Sequence, residues 1–148
     1  MNHQRHVIRE ALVALLAAGG TAAGARVYDH PFDPRTTFPA LSVADVGEQQ
    51  QSESMPADSG RPIERLYTLE VSAEVQQTAN YARQRDQLLA DVEAIFATAS
   101  LTVTQMKMIT PSGYAPLMDL TGDRPIAVGR QRFDILYFTT QGNPAASL

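Results

Sequence analysis

Tyr67, Leu69, Val71, Ala73 and Val75 alternate with Thr68, Glu70, Ser72 and Glu74 in the middle of the chain. Side chains of a strand point to opposite faces with a period of two, so this run buries one face and wets the other. A sheet with one apolar face must be covered by another element of the same chain. The segment that follows supplies a cover: from about Thr78 to Ala99, Ala82, Leu88, Leu89, Val92, Ile95 and Phe96 recur at helical spacing. Arg83, Arg85, Asp86, Asp91 and Glu93 lie mostly off that stripe, as an amphipathic helix requires.

A second helix is expected at residues 3–18, where Val7, Ile8, Leu12, Leu15 and Leu16 repeat at helical spacing and Gly19-Gly20 provide a stop. Arg5, His6 and Arg9 before an alanine- and leucine-rich run also imitate a secretion signal, with Glu10 at its mouth standing against that reading. The apolar run is too short to span a bilayer. Short strands are expected at Ala25–Asp29 and Phe38–Ala44, with Pro39 at the entry of the latter, where a missing N–H does least harm. Leu101–Thr110 and Ile126–Thr139 complete the set; Val103, Met106, Met108 and Ile109 in the former do not share one face. In the latter, Phe133, Ile135 and Tyr137 share one face while Leu136 and Phe138 share the other.

Between these elements the composition turns polar. Residues 45–61 carry Gly47, three consecutive glutamines and several Ser, Pro and Asp residues, and read as a functional loop of about 17 residues or a long hairpin arm. Residues 111–125 read as a second long loop, punctuated by Gly113, Pro116, Gly122 and Pro125, and residues 141–148 as a flexible tail. The expectation is one α+β domain over residues 1–140, in the order α-β-β-β-α-β-β. Its mixed or mainly antiparallel sheet of about five strands carries two helices on one face. Removal of Gln49–Ser59 is expected to leave that fold intact.

The chemistry that such a chain can carry is limited. The 148 residues include no cysteine, which excludes disulfides, thiolate metal sites and cysteine nucleophiles. The three histidines, His3, His6 and His30, fall short of a metal-ligand set, and Gly19–Gly24 lacks the lysine of a phosphate loop and follows a helix instead of a strand. Asp119 and Asp123 sit in a segment that offers little of the burial a catalytic carboxylate pair needs. No nucleophile–base grouping stands out, so the chain reads as a non-enzyme without cofactors. A net charge of −4 argues against gripping nucleic acid through its phosphates. Arg61 and Arg65 flank the first polar segment, and Arg124, Arg130 and Arg132 cluster near the last strand; they protect sheet edges by charge, or contact a neighbouring subunit or passing DNA.

In their order, these segments resemble the tail terminator (tail completion) proteins of long-tailed bacteriophages, the lambda-type minor tail protein U family. Arg5–Leu16 looks like that family's first helix, Arg26–Tyr28 its first strand, and Phe38–Val43 its following "LPALSV"-like segment, with Phe38 in place of leucine. Arg65–Val71 is similar to the central strand, Asp86–Phe96 to the long helix, and Thr121–Ala127 with Phe133–Tyr137 to the closing segment. The likeness spans roughly residues 5–140, and the 45–61 segment has no counterpart in it. The resemblance implies a structural virion protein of the siphovirus type, made in the host cytoplasm and placed at the head-proximal end of the tail. It implies a hexameric ring that caps the tail tube, stops its polymerisation and presents the surface joining the head. Expected partners are copies of itself, the tail tube protein and a head-completion or connector protein. DNA is expected to pass through the lumen without specific binding, and no membrane is expected to be involved. Another head–tail connector of the same fold, or a secreted small binding domain, is the alternative. On the ring reading the expected contact residues are Gln49, Gln50, Glu53, Arg61, Arg65, Tyr114, Asp119, Asp123, Arg124, Arg130 and Arg132.

Overall fold

The computed structural model describes residues 2–29, 37–52, 61–120 and 125–147. Helix α1 (Gln4–Ala18) is followed by strands β1 (Val27–Tyr28), β2 (Ala40–Ser52) and β3 (Pro62–Gln76). Helices α2 (Tyr81–Ala97) and α3 (Ala99–Thr102) then lead to β4 (Met108–Asp119), β5 (Ile126–Thr140) and β6 (Asn143–Ser147). The strands form a six-stranded sheet in the order β1-β2-β3-β5-β4, with β6 also paired to β5. Only β1–β2 is parallel; the other pairings are antiparallel. The expected α+β architecture, with two helices on one face, is the architecture found.

The alternation along β3 fixes the layers. Tyr67, Leu69, Val71, Ala73 and Val75 are buried beneath the helices. Opposite them, β5 contributes Phe133, Ile135 and Tyr137, also buried. From α1, Ile8, Leu12 and Leu16 project into the same core at a spacing of four, and α2 adds Leu88, Leu89, Val92 and Phe96. Phe96 meets Phe133 edge-on at 4.8 Å between ring centres. Gly129 lets α2 approach β5 closely, since a Cβ there would lie 2.9 Å from both Arg85 Cδ and Leu89 Cδ1. Because Ile8, Leu12 and Leu16 are fully buried, cleaving off this helix as a signal would open the core.

Four expectations are corrected. Residues 45–52 are strand and not loop, so that of the two expectations the long hairpin arm is the one found: β2 continues in register with β3 as far as Ser52 opposite Ile63. Deleting Gln49–Ser59 would therefore remove paired strand. Residues 111–119 are also strand, and Pro111 and Pro116 are tolerated there for a specific reason. Lys107 N–H donates to Leu136 C=O at 2.8 Å, so even-numbered β5 residues turn their backbone groups toward β4. Both prolines stand opposite odd-numbered residues, Phe133 and Gly129, so their missing N–H faces the outer edge. The extended run expected at Leu101–Thr110 begins only at Met108, because α3 and a turn tuck Val103 and Met106 into the core. Residues 143–147 are β6 instead of a free tail; Gly142, at φ 79°, turns the chain back onto the end of β5 that lies beyond β4.

Candidate interaction surfaces

On the helix-covered face, two carboxylates of β2 tie α1 to the sheet. The register shift between Asp45 and Gly47 leaves Val46 as an extra residue. Asp45 and Glu48, three apart, would otherwise point to opposite faces; the bulge brings both beneath α1. Arg9 reaches Asp45 at 2.7 Å and Arg5, one turn earlier, reaches Glu48 at 2.7 Å. Each carboxylate also accepts a hydroxyl from a core tyrosine, Tyr67 to Asp45 and Tyr137 to Glu48. Arg65 adds a 3.2 Å contact to Glu48 and donates through Nε to Thr139 Oγ1 at 2.7 Å, while Gln50 donates to Glu48 at 3.2 Å.

Burial works most strongly against the charge on both carboxylates. The tyrosine hydrogen bonds, with Arg9 at Asp45 and Gln50 and the arginines at Glu48, outweigh it and hold both below the usual carboxylate range. Tyr67 and Tyr137 move the other way, raised first by burial and then by the anions they serve. His3, at the start of α1, accepts from Arg5 N–H at 3.1 Å and meets Tyr137 edge-on, and burial lowers its pKa. Gln4 donates to Ala145 C=O, so β6 is pinned by the start of α1. This network joins α1 to β2, β3 and β5. It accounts for Arg65 by internal contacts, while Gln50 is exposed and donates to Glu48 from the surface.

Among the described residues, no helix covers the other face of the sheet. Across its strands run the rows Leu66–Leu136–Met108, then Thr68–Asp134–Thr110, then Glu70–Arg132 and Ser72–Arg130. Thr68 Oγ1 donates to Asp134 at 2.8 Å. Glu70 is shared: Arg132 Nε lies at 3.2 Å and Arg130 Nε at 3.9 Å. These two arginines, with Glu70 and Ser112–Ala115 at the β4 bulge, bound a cleft of about 290 Å³. Tyr114, expected as a contact, also borders it, half-exposed with its ring beneath Arg85 at 5.8 Å. Met108, Leu117 and Leu120 are exposed on or just after β4, and Leu101 on α3 before it.

Of the other expected contact residues, Gln49 is exposed opposite Leu66, and Arg61 lies beside the β5–β6 turn, its carbonyl accepting from Gln141 N–H at 2.7 Å. Asp119 closes β4 opposite Ile126. Glu53, Asp123, Arg124 and His30 lie outside the described residues. Leu117 was missed because the segment around it read as loop, and Met108 because its expected strand showed no single apolar face; the apolar positions themselves were the available signal. Among the described residues, no three acidic or histidine side chains group as a metal would need, and no helix is long and apolar enough to cross a membrane.

No family model and no curated protein matches the chain. Among solved structures, it is similar to a chain from the virion of a native gene transfer agent (GTA) particle, with a TM-score of 0.53 and 14% sequence identity. The superposition covers 86% of this chain and 93% of that one, and the likeness is one of fold.

Proposed function

We propose that this chain is a structural virion protein that forms a hexameric ring on the end of a phage tail tube, stops tube growth and presents the head-joining surface. The observation that carries the reading is the fold shared over 93% of a virion chain. The ordered resemblance to tail terminators supplies the finer role. Physical features support an assembling, non-catalytic protein. Among the described residues one face of the sheet has no helix over it, and exposed apolar side chains gather along β4 beside a pair of arginines. A ring requires two different surfaces of one subunit to meet, and the helix layer and the open sheet face offer two such surfaces.

The test is electron microscopy of the purified protein mixed with its cognate tail tubes, with light scattering alongside. Six-fold rings capping tubes of uniform length are the expected result. Bare tubes beside a persistent monomer would remove the terminator role. Mass spectrometry of purified particles would then still test the broader virion role.

A further inference from the structure

We infer that the cleft formed by Glu70, Arg130 and Arg132 is the socket that receives a carboxylate from the next copy of this chain. The inference rests on the ring reading above and names the contact through which neighbouring subunits join. Two guanidinium groups share one carboxylate here, so one positive charge is left over. Both arginines approach Glu70 through Nε, and their Nη atoms take no partner among the described residues. Both side chains are about half exposed, at 47% and 53%. Those Nη groups form the planar fork that binds an oxyanion through two parallel hydrogen bonds. Gly113 and Ala115 border the cleft without bulk to fill it. On the same sheet face, Met108 and Leu117 are 48% and 46% exposed, providing apolar contact next to the charged centre.

A carboxylate fits this face better than a nucleic-acid backbone. Glu64, Glu74 and Asp134 share it, and that negative charge repels a polyanion while leaving room for one acidic side chain. The chain also carries a surplus of acids, 16 against 12 basic residues. Among the described residues, Glu64 and Glu93 are exposed and have neither an ion pair nor a hydrogen bond. Glu64 is on the socket's own face, whereas Glu93 stands on α2 in the helix layer, on the opposite side of the molecule. Joining Glu93 of one copy to the socket of the next gives a head-to-tail contact, the kind that closes into rings.

The experiment compares wild type, R130E/R132E and E93R by native mass spectrometry and light scattering, alone and on tail tubes. Circular dichroism and thermal melting check that each variant folds. The expected result is wild-type assembly, with self-association weakened by about tenfold or more in both variants. Adding E93R to the double variant is expected to restore assembly by exchanging the charges. Unchanged assembly in either variant overturns the socket while leaving the ring standing. So does a double variant that loses only affinity for a short DNA duplex, which would make the cleft a nucleic-acid contact. Wild type that never assembles, even on tubes, removes the ring reading and the socket together.

Discussion

Glu48 does the most work of any single side chain in the described structure. Its side chain is 6% exposed and meets Arg5, Arg65, Gln50 and Tyr137. Replacing it with alanine takes the acceptor from Arg65 Nη1, on a side chain 8% exposed, and from the Tyr137 hydroxyl. Glu48→Ala is expected to cost about 3 kcal/mol in urea denaturation, the range for breaking a buried ion pair. Arg132→Ala, at a half-exposed pair, is expected to change stability by about 0.5 kcal/mol or less in the same assay. The carboxylates also set a pH dependence. Asp45 and Glu48 are held below their usual range, so at low pH the unfolded chain binds more protons than the folded one. Their stabilisation is present above the unfolded values and is lost as pH falls through the folded ones. Tyr67 and Tyr137 are raised, so their contribution is lost on the alkaline side instead. Melting temperature is expected to hold near neutrality and to fall below about pH 4 and above about pH 10. Glu48→Gln should flatten the acid limb; an unaltered limb would show that Glu48 does not set it.

At the scale of elements, the β2 bulge decides which way the hairpin faces. Inserting one residue between Gly47 and Glu48 would shift the alternation by one and turn Glu48 and Gln50 away from α1. Hydrogen exchange is expected to speed up across α1 in that variant, while the central amides of β3 and β5 stay protected. Gly129→Val tests the other contact between layers. Its side chain would press on Arg85 and Leu89, and a loss of about 2 kcal/mol is expected, read from denaturant unfolding. The elements that were legible in the chain are those whose own pattern reports burial: α1, α2, β3 and β5. The distal half of β2 was not, because its inward residues are Asp45, Glu48 and Gln50, which look like loop residues until their partners are known. β4 was obscured by two prolines that an outer edge tolerates, and β6 by a short sequence of small residues without a burial pattern, held by Gln4 and the end of β5.

For the whole molecule, the sheet and its two helices form a unit whose polar arm can be tested separately. Replacing residues 53–60 with Asn-Gly should keep Ser52 opposite Ile63 and change stability by only about 1 kcal/mol, since loop length enters weakly. Extending the deletion to Gln49 should lower the thermal transition clearly, because it removes paired strand. The sequence by itself determined the class of fold, the two helical stripes, the buried face of the central strands and the exclusion of cysteine chemistry. Each follows from patterns within one segment or from composition. Tertiary structure alone decided that two carboxylates meet arginines 36 and 43 residues away, that a bulge turns them inward and that an edge shelters two prolines. It also gathered Glu70, Arg130, Arg132 and the β4 bulge around one cleft. Local alternation reports whether a side chain meets oil or water, whereas a charge paired across the fold satisfies neither pattern and becomes readable only when its partner is in place.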